Sequence, residues 1–204
     1  MAACYDPAPP PRPLARGFTR IARPGAASGP TGYAPGVTAE RPEPVLHVAL
    51  LEPKIPQNTG SIGRLTLALG ARLHLVGPLG FDTDEKACRR AGLDYWKHVD
   101  LLQHPDLAAL ERALPPGSRT WVFSAHAPRT WVEAEYRAGD CLLFGDEVLG
   151  LPRELVEAAG ERAVRIPLVS PRVRSLNLAC AVSMAVGEAL RQVGAGLEAP
   201  CRPS

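Results

Sequence analysis

Three short stretches of this chain mix glycine, proline, side-chain amides and isolated charges in a way that serves chemistry better than packing: 56-PQNTGSIGR-64, 144-FGDEVLGLP-152 and 166-IPLVSPRVRSLNL-178. Each follows directly on a short apolar run. Taken singly, each has an ordinary structural explanation: Gly60 can serve a turn, Gly145 and Gly150 can close a tight strand-to-helix connection, and Ser175 or Asn177 can cap a helix. Taken jointly, three such loops behind strands of one sheet would expose main-chain N–H and C=O groups along one rim. That suits a ligand with hydrogen-bonding edges, such as adenine and ribose. The first stretch ends on a single cation, Arg64.

Signatures of several other chemistries are missing. The chain has neither the G-x-G-x-x-G of dinucleotide binding nor the G-x-x-x-x-G-K-[ST] phosphate loop, and it lacks G-x-S-x-G and H-E-x-x-H. His47, His74, His98, His104 and His126 are scattered, and His47 and His74 fall inside strand-like runs, where structural histidines are expected. Cys4, Cys88, Cys141, Cys180 and Cys201 show no C-x-x-C spacing, so no metal site and no disulfide framework is suggested. A reducing, cytoplasmic location fits this cysteine usage. No stretch approaches the roughly 20 apolar residues of a membrane span.

The elements that must position the three loops are read from the apolar pattern. Of 204 residues, 46% are hydrophobic and 22% charged, enough for one sizeable core. A net charge of +2 and a pI near 8.3 neither demand nor exclude RNA. Residues 1–44 hold ten of the 22 prolines and five glycines and read as a disordered arm. Arg12, Arg16, Arg20 and Arg23 against Asp6 leave three readings of that arm open: a solvated tail, an over-extended start, or a segment for RNA contact or targeting.

From residue 45, VLHVALL (45–51), ARLHLVG (71–77), TWVFSA (120–125), CLLFG (141–145) and AVRIPLV (163–169) read as strands. Helices are expected over 61–69, 83–91, 105–114, 153–159 and 176–193. The alternation points to an α/β domain at 45–194 with a parallel sheet flanked by helices and its ligand site at the carboxyl ends of the strands, followed by a flexible tail at 195–204. The last helix is apolar almost all round, so it is either a core helix of a monomer or a helix shared with a second subunit.

The three stretches, written N-T-G-x-I-x-R, F-G-x-E-x-x-G-L-P and I-P-(x)n-S-L-N-L, together with 53-PKIPQNTG-60 and 89-RRAGLDYW-96, resemble the motifs of the SPOUT superfamily of RNA methyltransferases, in its tRNA and rRNA 2′-O-ribose branch. Within that branch the chain looks most similar to the minimal-domain enzymes that methylate the wobble nucleotide, cytidine or uridine 34, of leucine tRNAs. The resemblance implies a C-terminal deep trefoil knot, a homodimer, and S-adenosylmethionine as methyl donor without a metal. It also implies that main-chain groups around Phe123, Gly145, Ile166 and Ser175 hold the cofactor, with Leu151, Leu176 and Asn177 nearby. Arg64 would stand at the reacting centre with Asn58 shaping its loop, and Glu147 would support the second loop or the RNA. Phosphates of a tRNA anticodon stem-loop would meet Arg89, Arg90, Lys97, Arg172 and Arg174, and Tyr95 or Trp96 would stack on a base. The competing structural reading puts Arg89 and Arg90 on a surface helix and Trp96 in the core. Ala179 and Cys180 stand where relatives usually carry serine and asparagine. Two further readings keep the fold: methylation of a different tRNA or rRNA ribose, and a non-catalytic RNA-binding protein.

Methyl transfer from a sulfonium to a ribose hydroxyl is a direct displacement, so alignment is the main task of the protein. An arginine side chain holds its proton throughout the physiological range, which makes Arg64 a better clamp on a phosphate or a developing alkoxide than a base.

Overall fold

A computed structural model describes residues 43–81 and 94–194. The expected helix at 83–91, with Arg89 and Arg90, lies outside the described residues. Along the chain run β1 (His47–Leu51), α1 (Pro56–Leu69), β2 (Arg72–Val76), a 3-10 turn (Trp96–His98), β3 (Leu101–His104) and α2 (Leu107–Ala113). They are followed by β4 (Thr120–Phe123), β5 (Arg129–Thr130), β6 (Cys141–Phe144), α3 (Arg153–Ala159), β7 (Ala163–Arg165) and α4 (Leu178–Val193).

The strands form one seven-stranded sheet in the order β3-β2-β1-β6-β4-β7-β5, and every neighbouring pair is parallel. The sequence expectation of a helix-covered parallel sheet therefore holds. Strand residues alternate between two faces. Leu46, Val48 and Leu50 of the first strand region pack with Leu73, Leu75, Phe123 and Phe144 against Ile62 of α1 and Val182, Ala185, Val186 and Ala189 of α4. Ala49, Val76, Val122, Cys141 and Leu143 pack on the opposite face, against Leu110 of α2 and Ala159 of α3. Chain order runs outward from β1 to β2 and β3 on one side and then continues on the other, so β1 and β6 flank the switch point, where α/β sheets open a crevice.

Several boundaries differ from the sequence reading. Helix α1 starts at Pro56 rather than at residue 61, because Pro56 occupies the first turn, where its missing N–H costs nothing. PQNTG is therefore helix, not loop. Helix α2 spans Leu107–Ala113 within the expected 105–114, capped by Asp106, whose Oδ1 accepts from the Ala109 amide at 2.7 Å. Helix α4 begins at Leu178, because Asn177 is its cap rather than its first turn. Strand β7 ends at Arg165, and 166–169 are loop, Pro167 being unable to donate to a ladder. Strands β3 and β5 were not expected from the sequence.

Three buried histidines cross the α2/α3 face. His47 Nδ1 lies 2.9 Å from His74 Nε2, and His74 Nδ1 lies 2.8 Å from His104 Nε2. Each neutral ring carries one N–H, so both bonds must run in the same direction. His47 Nε2 is buried without a partner. An unpartnered lone pair is tolerated more readily than an unpartnered N–H, so the protons run from His47 Nδ1 to His74 and from His74 Nδ1 to His104. The expectation of structural histidines holds for His47 and His74, and the structure adds His104 to them.

Candidate active site

All seven strands point the same way, so the segments after β1, β4, β6 and β7 emerge on one rim. At the switch point, Leu50 of β1 is paired with Phe144 of β6. Beyond β1 the chain turns at Glu52, the one non-glycine residue with positive φ (49°) among the described residues. It precedes Pro53, a position where steric contact normally enforces an extended conformation. This strained turn carries Lys54 and Ile55 over the segment after β6. No composition signal marked Glu52.

That segment is folded back on itself. Gly150 N donates to Asp146 O at 3.1 Å, and Asp146 Oδ1 accepts from the amides of Val148 (2.7 Å) and Leu149 (2.6 Å). Gly150 takes φ +71°, and a Cβ on Gly145 would overlap the main chain of Gly150 and Leu151. Both glycines are thus required by the turn, and Leu151 is buried beneath it.

The turn aims Glu147 at the start of α1. Its Oε2 accepts from the Lys54 amide at 2.9 Å, and its Oε1 from the Ile55 amide at 3.2 Å and from Asn58 Nδ2 at 2.9 Å. Helix α1 has no capping side chain at Ile55 and no acid in its first turn. A carboxylate from 92 residues away does that work, taking up main-chain donors and complementing the positive helix end. Asn58 Oδ1 in turn accepts from Asn177 Nδ2 at 2.9 Å, while Asn177 Oδ1 caps α4 by accepting from Ala179 N (2.9 Å) and Cys180 N (3.3 Å). The three motifs are therefore joined through Glu147, Asn58 and Asn177. The cap uses only the main chain of Ala179 and Cys180, so the unusual pair leaves it intact.

Arg64 is exposed on α1, about one and two-thirds turns beyond Asn58. Its guanidinium lies over the Tyr95 ring, 4.5 Å from the centroid, and the Tyr95 hydroxyl donates to Gly60 O at 2.9 Å. Among the described residues, no hydrogen bond or ion pair engages the Arg64 head group. Trp96 is buried against α1, where a Cβ on Gly63 would stand 2.5 Å from its Cζ3, so its place is in the core and not on a base.

The remaining expected positions follow the rim. Phe123 ends β4 and stacks on Phe144 with centroids 4.6 Å apart; Gly145 comes one residue after Phe144, and Ile166 directly after β7. Ser175 is exposed and Leu176 half-buried in the segment leading to α4, with Arg172 and Arg174 exposed beside them. No described contact ties Ser175 to the Glu147 network. Val148 and Leu149 are 79% and 84% exposed on the folded-back turn. The rim thus offers main-chain groups and apolar side chains, while Asp146 and Glu147 are consumed internally. This donor set fits an adenosine-bearing ligand recognised by its edges and apolar faces. Among the described residues, no group of three or more His, Cys, Asp or Glu is placed to hold a metal ion.

Comparison with known proteins bears on this rim. Residues 45–187 match the model of the SpoU rRNA Methylase family. A tRNA (cytidine(34)-2′-O)-methyltransferase from Aeromonas hydrophila is 42% identical over 151 residues, which make up 74% of this chain and 96% of the relative. A solved structure described as giving structural insights into the 2-OH methylation of C/U34 on tRNA is 50% identical, with a TM-score of 0.66 over 72% of this chain and 95% of that one. An AdoMet-bound rRNA methyltransferase from Sinorhizobium meliloti is 29% identical, with a TM-score of 0.63 over 74% of this chain and 57% of that one.

Proposed function

The chain belongs to the SpoU rRNA methylase family, and on that premise we propose that it is a tRNA 2′-O-ribose methyltransferase acting on cytidine or uridine 34, the wobble nucleotide, of leucine tRNAs. The observation that carries this reading is the state of Arg64. It is an exposed cation stacked on one face, on a helix whose start is fastened to both other motifs by Glu147, Asn58 and Asn177.

S-adenosylmethionine, when bound, supplies an electrophilic methyl group on a sulfonium. Main-chain groups at Phe123, Gly145, Ile166 and Ser175 would hold it, with Leu151, Leu176 and Asn177 close by, and the exposed Val148 and Leu149 would exclude water from its apolar faces. Arg64 keeps its proton and presents N–H donors to the phosphate flanking the target ribose or to the oxygen on which charge develops. The hydroxyl proton then leaves to water or to a phosphate oxygen. Glu147 is not a base in this scheme, because its oxygens already accept three N–H donors.

The reading extends to a homodimer with a C-terminal trefoil knot, working in the cytoplasm, with residues 45–194 as the catalytic domain and the flanking arm and tail outside it. In support of the dimer, α4 leaves Cys180, Ser183, Met184 and Gly187 exposed in one stripe, opposite its buried face. Arg172 and Arg174, together with Arg89 and Arg90, would contact anticodon-loop phosphates, and a second copy would double this modest charge.

The test is incubation of purified protein with labelled S-adenosylmethionine and tRNA from a strain lacking wobble ribose methylation. Label incorporated into tRNA supports the reading. Protein that binds the cofactor but labels only rRNA would move the substrate, and protein that binds no cofactor in calorimetry would end the enzymatic reading.

A further inference from the structure

Tyr95 makes two contacts that converge on one residue. Its ring carries the Arg64 guanidinium at 4.5 Å, and its hydroxyl donates to Gly60 O at 2.9 Å. In an α-helix the carbonyl of residue 60 is also the acceptor for the amide of residue 64. One side chain therefore fastens both the helical turn that bears Arg64 and the head group at its end. The next residue reinforces the arrangement: Trp96 fills the space where Gly63 lacks a side chain, so the turn before β3 is pressed against α1 at the residue preceding Arg64.

The stacking has a chemical consequence. A guanidinium lying flat over an aromatic ring keeps all its N–H donors in its own plane, free to meet an oxyanion, while the ring restricts the rotamers of an otherwise exposed, long side chain. The same stacking covers one face of Tyr95. An RNA base would have to displace Arg64 to use that face.

We propose that Tyr95 is a positioning residue for methyl transfer, holding the Arg64 guanidinium in the orientation that meets the target ribose, and is not a stacking platform for a base. The proposal rests on the reaction described above.

The test compares full-length wild type, Tyr95→Phe, Tyr95→Leu and Tyr95→Gln, alone and combined with Arg64→Gln. The readouts are kcat and KM for tRNA and the Nε–Hε NMR resonance of Arg64. Tyr95→Leu is expected to lower kcat about tenfold with KM within about twofold, and Tyr95→Phe to stay within about threefold of wild type. In the Arg64→Gln background the same change is expected to cost less than about twofold. The Arg64 resonance should be ring-shifted in wild type and Tyr95→Phe and lose the shift in Tyr95→Leu. Tyr95→Gln gives the same reading if Tyr95→Leu does not fold. A raised KM with unchanged kcat would make Tyr95 a base platform, and equal losses in both backgrounds would separate it from Arg64; either overturns the proposal. If wild type methylates no tRNA, the reaction reading falls, and an unshifted Arg64 resonance would then overturn the Tyr95–Arg64 arrangement independently.

Discussion

Glu147 and Asn58, 89 residues apart in sequence, meet with Oε1 and Nδ2 at 2.9 Å across the crevice between β1 and β6. Through this bond, and that of Asn58 to Asn177, the N-terminal ends of α1 and α4 and the turn after β6 form one hydrogen-bonded unit. Arg64 inherits its position from that unit.

Glu147→Gln therefore tests the unit without changing its shape. The glutamine amide would turn an N–H toward donors that need an acceptor, at a cost of about 1–3 kcal/mol for the lost charge-assisted bonds. Chemical denaturation should show that loss, and turnover should fall with it. Unchanged stability would mean that the carboxylate is not holding α1.

For Arg64→Ala, turnover should fall by about a hundredfold or more, as for loss of an electrostatic stabiliser of the reacting oxygen. Affinity for S-adenosylmethionine in calorimetry should stay within about threefold, since among the described residues no hydrogen bond, ion pair or ring contact joins Arg64 to a cofactor-side residue. A parallel loss of cofactor binding would show Arg64 to be structural.

Gly145→Ala should abolish cofactor binding and lower the thermal midpoint, because the new methyl group overlaps the main chain of Gly150 and Leu151 and must unfold the turn. Gly150→Ala meets no atoms, but it must hold φ +71°, costing about 1 kcal/mol. Equal behaviour of the two variants would contradict this account of the turn.

The histidine chain makes stability pH-dependent. Burial holds His47 down to about 4 and His74 to about 3, from an ordinary value of 6.5, with Arg72 adding to the effect, and burial lowers His104 as well. Below pH 6.5 the unfolded chain binds protons that the folded chain does not. The histidine contribution to stability is therefore level above that value and falls as pH drops toward 4, chiefly through His47 and His74. Denaturant midpoints at pH 7.5, 6, 5 and 4.5 read this directly, and no decline between pH 6 and 4.5 would refute the assignment of neutral rings.

What the sequence disclosed followed from burial. The near-continuous apolar runs of β1, β4 and β6 are visible because parallel strands covered on both faces are apolar on both, and β2, RLHLV, is visible by its leucines and valine between turn residues. Edge strand β3, LLQH, escaped because its Leu102 and Gln103 are exposed and its His104 reads as polar. Strand β5 is only two residues long. The start of α1 was hidden because Pro56, Asn58 and Gly60 have the composition of a turn, and only long-range partners, Glu147 for the helix start and Tyr95 for Gly60, show why they are helical. Arg64, Asn58, Glu147 and Asn177 are reached through the resemblance of the three motifs, not from local pattern alone. The stacking of Arg64 on Tyr95 and the strained turn at Glu52 could not be reached from the sequence, since both depend on contacts or backbone angles that no local pattern encodes.

The role proposed for Arg64, so placed, is in methylation of a wobble ribose. The decisive measurement is to map the modified nucleotide in tRNA treated with the purified protein and labelled S-adenosylmethionine. The expected result is a 2′-O-methyl group on nucleotide 34 of leucine tRNAs, lost with Arg64→Ala; a methyl group at another ribose, or full modification by the Arg64→Ala protein, would contradict it.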